Sequence, residues 1–232
     1  MNMRNITYAL VLLMLAVAGP WMSLTAQVQT PSVKPVTSTE GYDFYVAFMP
    51  NGVSKPTDKD LKLQLFVNSR EANRVRLEYA DGSTENYNVP AGGTTTIDVD
   101  PKKVYWDEEK GEEEMVLDKG VRVYSLDKKP MTVYSGNQNG DGGTSSFDGA
   151  HVLPKEALGQ EYVIQSANDD NIATEFVVMS TRPGTTTVTV ELNVKSRKGK
   201  KDRLTISFKK AKQIYIIRSK SIDPNKPNDV ID

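Results

Sequence analysis

Apolar and polar residues alternate along most of the chain from residue 41 onward. Val75, Leu77 and Tyr79, for example, are separated by Arg76 and Glu78. A period of two places one set of side chains in a core and the other in solvent, as in a half-buried β-strand. Such alternating runs, together with other short β-type runs bounded by turn residues, predict strands at 44–48, 61–67, 74–79, 85–89, 94–99, 121–125, 131–135, 161–166, 174–180, 185–194, 203–208 and 213–219.

Turn residues agree with this pattern. Asp81-Gly82 separates two of the runs and predicts a short hairpin, for which a type I′ turn with positive φ at both central residues is favoured. Helical signal is confined to residues 154–159, where Pro at the start and Gly at the end predict a single turn. We therefore predict an all-β fold, an antiparallel β-sandwich.

The order of the predicted strands contains a weak internal repeat. An apolar strand, an exposed strand, a hairpin return and a Thr-rich strand occur in residues 63–99, and a similar order recurs in residues 176–217. A duplication produces such a pattern, and a simple antiparallel meander produces a related one. We predict a sandwich module over residues 41–220, which a duplication would divide into two related β units at 41–135 and 136–220.

The first residues predict export. Arg4 is the only charge before an apolar run from Ile6 to Gly19, which small and polar residues follow. This is the layout of a secretory signal peptide, and the run is shorter than the roughly 20 residues of a membrane-spanning helix. We predict a signal peptide at 1–26, cleaved between Ala26 and Gln27, no transmembrane span after cleavage, and an extracellular or outer-surface location.

Composition narrows the function. Two prolines in residues 27–40 indicate a flexible lead-in, and two in residues 221–232 indicate a linker-like tail. The net charge of −1 argues against a nucleic-acid partner, and the absence of cysteine excludes a thiol nucleophile and a lipoprotein anchor cysteine. His151 is the only histidine, and no Gly-x-Ser-x-Gly elbow accompanies it. The sequence thus predicts a protein that is not an enzyme.

Two charge clusters stand out. Residues 107–114 are mostly acidic, and a basic turn begins at residue 197. The basic residues that we single out as a candidate binding cluster are Arg197, Lys198, Lys200, Lys201 and Arg203. Such a group would dock on anionic glycans or lipid headgroups. The alternative is a solvated hairpin tip, which is the usual state of a block of like charges.

Tyr105 and Trp106 are a second candidate binding feature. An exposed Tyr-Trp pair would stack on a sugar or anchor a protein partner, because both rings combine a large apolar body with a polar group. The alternative interpretation places the pair in the core beneath a loop.

A calcium loop is the third candidate. The run from Asn137 to Gly142 fits the opening of a calcium-binding loop, and Asn137, Asn139, Asp141 and Asp148 would supply four oxygens. Calcium takes six to eight oxygen ligands, and neither a closing glutamate nor flanking helices accompany this set. A Gly- and Asn-rich surface turn is the alternative, so the sequence predicts no cofactor other than this calcium candidate.

The order of several short motifs resembles the N-terminal domain family of IgG Fc-binding proteins, bacterial members included. The segments that carry the resemblance are Gly41–Phe48, Gly120–Ser125, Lys129–Tyr134, Ser146–Gly149, Leu158–Val163, Glu175–Ser180 and Thr185–Val190. The resemblance covers residues 41–194. It implies a β-rich, secreted or surface-displayed module for adhesion or recognition, with immunoglobulin Fc or another host protein as partner, and it carries over no catalytic residues.

These observations together favour a non-enzymatic surface recognition or adhesion module that binds a protein or a surface glycan. A structural spacer of a larger envelope protein and a surface glycan hydrolase are the alternatives. Recognition requires an exposed aromatic or apolar patch, whereas a spacer needs only a uniformly polar surface.

Overall fold

A computed structural model of the protein describes residues 38–51, 55–140, 146–165, 175–193, 196, 198–199 and 202–219. All of these residues lie in one compact unit. The predicted signal peptide, the bond between Ala26 and Gln27, most of the predicted lead-in and the predicted tail fall outside them. Within these ranges, no helix has the length and apolar character needed to cross a membrane.

Twelve strands are described in these ranges. They are β1 (Asp43–Val46), β2 (Lys62–Ser69), β3 (Asn73–Tyr79), β4 (Thr84–Val89), β5 (Gly93–Val99), β6 (Val121–Ser125), β7 (Thr132–Asn139), β8 (Ser146–Val152), β9 (Glu175–Met179), β10 (Thr186–Leu192), β11 (Asp202–Phe208) and β12 (Ile214–Arg218). Within the same ranges, helix is limited to α1 (Pro101–Val104) and two 3₁₀ turns, Glu108–Lys110 and Lys155–Ala157. The predicted all-β class is confirmed.

Two four-stranded antiparallel sheets form the sandwich. The first has the strand order β1-β6-β3-β4, and the second has the order β5-β2-β7-β8. The alternation read from the sequence explains their packing, because Leu63, Leu65 and Val67 of β2 all point into the core. Val75 and Leu77 of β3 meet them from the opposite sheet. Each sheet therefore keeps one face free of the core.

The remaining four strands pair as β9 with β12 and β10 with β11. Strand β12 is buried on both faces. Ile214 and Ile216 belong to the main core, whereas Tyr215 and Ile217 belong to a second core with Phe208 of β11. The β9–β12 pair is thus a middle layer between the sandwich and the β10–β11 hairpin.

The internal repeat that the sequence predicts has a counterpart in the strand pairing. In the first group, β2 pairs with β5 and β3 pairs with β4; in the second, β9 pairs with β12 and β10 pairs with β11. In each group, the first strand thus pairs with the fourth, and the two strands between them in sequence form an antiparallel hairpin. The predicted boundary between residues 135 and 136 falls inside β7, and β7 and β8 both join the sheet of β2.

Three local expectations differ from the structure. The sequence reasoning missed β8, whose residues Ser146–Val152 lack an apolar alternation and pair along β7. The strand predicted at 161–166 does not form in its described residues 161–165, which are irregular and exposed. The hairpin after Tyr79 is present, but only Gly82 has positive φ (87°), so the turn is not type I′. Gly82 N–H bonds to the Tyr79 carbonyl (3.0 Å), and a glycine after such a turn typifies a G1 bulge.

Candidate functional site

The outward faces of the two sheets carry different chemistry. On the first sheet, Arg122 pairs with Asp43 at 2.8 Å and with Glu78 at 3.6 Å, and Arg74 pairs with Asp127 at 2.6 Å. Such ion pairs typify a solvated surface. The same face carries Tyr45 and Tyr124, whose rings lie beside the cations of Lys155 and Arg122. The outward face of the second sheet presents four ring side chains, which we call the aromatic platform: Phe66, Tyr134, Phe147 and His151.

Strand register brings three of these rings into one row. Phe66 of β2 lies opposite Tyr134 of β7, and Tyr134 lies opposite His151 of β8. Thr96 of β5 completes the row on the other side of Phe66. Directly opposed residues on antiparallel strands share a face and lie within contact distance, so the row crosses all four strands.

Tyr134 and His151 stack on each other. Their ring centroids are 4.8 Å apart and their planes are inclined by 28°. Both side chains remain exposed, Tyr134 by 46%. An offset pair of this kind limits the rotamers of both rings, which lowers the entropy that a ligand must remove.

Phe147 leans over two glycines. Cβ atoms placed on Gly136 and Gly149 would lie 3.0 and 3.2 Å from the outer end of the Phe147 ring, and the one on Gly136 would lie 2.9 Å from Phe66. Gly136 and Gly149 are themselves opposed on β7 and β8. Their missing side chains therefore leave the space that the two phenyl rings occupy, while Phe147 stays 58% exposed.

Polar side chains border the platform on the β5 side. Gln64 donates a hydrogen bond to a carboxylate oxygen of Asp98 (2.8 Å), and Asn68 donates to the Thr94 hydroxyl (3.2 Å). Gln64 and Asn68 flank Phe66 on β2, so amide, carboxylate and hydroxyl groups lie beside the rings. Across the strand positions of this face, the permanent charges are one lysine, Lys62, and one aspartate, Asp98.

The predicted Tyr105–Trp106 pair does not contribute to this surface. Tyr105 and Trp106 are 0% and 2% exposed, as in the core alternative. The Tyr105 hydroxyl accepts a hydrogen bond from the Asn51 backbone N–H (2.6 Å), and the Arg218 guanidinium lies 5.2 Å from the Trp106 ring centre. The exposed interpretation fails because both rings, in the extended chain directly after α1, pack inward against the main core.

The predicted basic cluster is described only in part. Lys198 and Arg203 are exposed, whereas Arg197, Lys200 and Lys201 lie outside the described residues. Lys198 contacts the predicted acidic segment: its Nζ donates to the carbonyl oxygens of Gly111 (3.3 Å) and Glu113, and its backbone N–H donates to a Glu114 carboxylate oxygen (3.2 Å). Among the described residues of the basic cluster, Lys198 therefore contacts the acidic segment.

The three described calcium-ligand candidates lie on strands. Asn137 and Asn139 belong to β7, Asp148 belongs to β8 opposite Asn137, and Asp141 lies outside the described residues. The Asn137 side chain donates to the Met49 carbonyl (2.6 Å), and the Asn139 side chain donates to the Asn51 carbonyl (3.2 Å). The described ranges hold no metal-binding cluster of three or more His, Asp or Glu side chains, and calcium stays a prediction of the sequence.

Shifted pKa values accompany structural ion pairs and buried phenols. A hydrogen bond from the Lys212 ammonium lowers the pKa of Glu78, and burial, reinforced by Glu85, raises the pKa of Tyr87 to about 12. Both residues belong to the first sheet, away from the platform.

The sequence contained one unused signal for the platform. Phe66 occupies the polar phase of β2, between Gln64 and Asn68, where a large aromatic ring faces solvent. Tyr134 occupies the same phase of β7. An aromatic residue at a solvent-facing position of a strand is informative, because the core does not need it there and its exposed ring can serve binding.

Comparison of the chain with known protein families, with curated proteins and with solved structures finds no match.

Proposed function

We propose that this chain is an exported, non-enzymatic recognition or adhesion module of the cell surface, and that it binds its partner through the aromatic platform. The single observation that supports the proposal is the exposure of Tyr134 and Phe147 beside His151 on one sheet face. Exposed rings that cluster on one face are typical of interaction sites, whereas single exposed apolar residues are ordinary.

The construction of the platform supports binding over a purely mechanical role. A spacer needs only solubility, which the ion-paired face of the first sheet provides. On the second sheet, Gly136 and Gly149 leave room for Phe147, and His151 orders Tyr134. A site on paired strands holds its side chains in place better than a loop does, and ordered rings lose less entropy on binding.

The test is a binding screen of the predicted mature chain, residues 27–232, against a glycan array and a panel of host serum proteins that includes immunoglobulin Fc. The wild-type chain is compared with Tyr134→Ala and Phe147→Ala. We expect each substitution to weaken the positive signals by about tenfold, the effect of removing one aromatic anchor.

Tyr42→Ala is the matched control. Tyr42 is about as exposed as Tyr134, at 48%, but precedes β1 in the first sheet. Equal losses in Tyr42→Ala and Tyr134→Ala would argue against a platform-specific site. A folded chain that binds nothing in either panel would favour the spacer interpretation.

A further inference from the structure

We infer that the platform's ligand is a neutral glycan, held by sugar rings stacked on Tyr134–His151 and Phe147 and by hydrogen bonds to Gln64 and Asp98. This inference rests on the proposed function, since it names the ligand class of the same face. It follows from three properties of that face: the spacing of its rings, the type of polar groups beside them and the balance of its charge.

The rings form two groups on this face, the Tyr134–His151 pair and the outer end of Phe147. Tyr134 and Gly136 are two residues apart on β7, which corresponds to about 7 Å along a strand. The Tyr134–His151 pair marks one end of that interval, and the outer end of Phe147, lying over Gly136 and Gly149, marks the other. This separation is on the scale of neighbouring sugar rings, whose C–H faces are the apolar surfaces that aromatic rings contact.

The polar groups beside the rings are suited to hydroxyl groups. The Gln64 amide is oriented by its hydrogen bond to one Asp98 oxygen, and this bond uses only part of the hydrogen-bonding capacity of each group. The Gln64 amide oxygen and the second Asp98 carboxylate oxygen therefore remain as acceptors for sugar hydroxyl groups. Thr96, next in the row to Phe66, adds a hydroxyl that donates and accepts.

The charge of the face selects a neutral ligand. Lys62 and Asp98 balance each other across the described strand positions of the second sheet's outward face. An anionic ligand would require several converging cations, as in recognition of phosphate or sulfate. A protein partner is less well matched, because the anchors of protein interfaces sit in desolvated pockets, whereas these rings lie on an open sheet.

The test is affinity gel electrophoresis of the mature chain in gels that contain a neutral polysaccharide. The panel comprises hydroxyethyl cellulose, xyloglucan, galactomannan, a β-1,3-glucan and glycogen, with alginate as an anionic comparison. We expect retardation by at least one neutral polysaccharide, and we expect it to persist at high salt because no ion pairs hold the ligand.

Gly136→Ala probes the platform without removing a ring. Its new Cβ would lie 2.9–3.0 Å from the outer atoms of Phe66 and Phe147, so both rings must shift. We expect affinity to fall by about tenfold, the loss of roughly one stacking contact. Lys62→Ala is the control on the same face, and it should leave retardation by a neutral polysaccharide unchanged.

The outcomes separate this inference from the proposed function. Binding of a serum protein that Tyr134→Ala abolishes, with no polysaccharide retardation, would overturn the glycan inference and keep the platform as a binding site. Retardation by alginate alone, lost at high salt or in Lys62→Ala, would also overturn it. Polysaccharide retardation that survives both Tyr134→Ala and Gly136→Ala would overturn the glycan inference and the platform proposal together.

Discussion

The rings of Tyr134 and His151 stack across β7 and β8, with centroids 4.8 Å apart and planes inclined by 28°. The two residues are opposed in the antiparallel register, so the pair is a product of strand pairing and not of sequence proximity. It joins the only histidine of the chain to the middle of an exposed aromatic row.

The first prediction concerns this stack. His151→Ala should weaken binding through the platform by about 0.5–1.5 kcal/mol, the energy of an aromatic pair, because Tyr134 loses the neighbour that orders it. His151→Phe keeps a planar ring and should retain most of the affinity. Titration calorimetry with the ligand found in the screen measures both. Equal losses in the two variants would mean that the imidazole nitrogens, and not the stack, contribute to binding.

The second prediction separates core residues from site residues. Trp106→Ala should lower the free energy of unfolding by about 3–5 kcal/mol, because it empties a buried ring position. Tyr134→Ala should change it by less than about 0.5 kcal/mol, as is usual for a surface position. Urea denaturation, followed by far-ultraviolet circular dichroism, measures both variants. Similar destabilisation by the two substitutions would contradict the surface placement of Tyr134.

The third prediction is a pH dependence. Because the hydrogen bond from Lys212 lowers the pKa of Glu78 below its ordinary 4.5 in the folded chain, Glu78 stabilises the fold above that value. This contribution is lost as the pH falls through the lowered folded-state pKa, where Glu78 becomes protonated. Glu78→Gln should therefore be less stable near neutral pH and lose less stability on acidification.

The measurement is the free energy of unfolding from neutral pH down through the acid limb, for the wild type and for Glu78→Gln. Glu71→Gln is the control, since the Glu71 side chain is 66% exposed and its nearest ion-pair contact, Lys129, is at 3.5 Å. A Glu71→Gln profile that follows the wild type, beside a flatter Glu78→Gln profile, is the expected result. Parallel wild-type and Glu78→Gln profiles would contradict it.

The fourth prediction concerns the contact between Lys198 and the acidic segment. Lys198→Ala removes the ammonium that donates to the Gly111 and Glu113 carbonyls, and it should lower stability by about 1 kcal/mol, since the contact is partly exposed. The effect should appear first as faster amide hydrogen exchange in residues 107–114. Lys209→Ala, which removes an exposed lysine near the end of β11, should leave that exchange unchanged.

Local pattern was sufficient where a strand has one buried face and one solvated face. The alternations of β2 and β3 predicted both the strands and their inward residues, and Asp81-Gly82 predicted the hairpin after Tyr79. The turn type escaped prediction because Asp-Gly also suits a turn in which only the glycine has positive φ. The segment at 161–165 is rich in β-branched and aromatic residues like a strand, but such a composition does not guarantee a pairing partner, and its residues are irregular in the structure.

Sequence alone thus determined the all-β class, most strands and, where one face is solvated as in β2 and β3, the inward residues, because hydrophobic alternation is a property of neighbouring residues. The tertiary structure decided which strands lie side by side. That choice added β8 next to β7, buried Trp106 against the core, placed β12 between two cores and assembled Phe66, Tyr134, Phe147 and His151 on one face. These relationships escape a local pattern because they depend on backbone pairing between residues far apart in the chain, which strand order and register control.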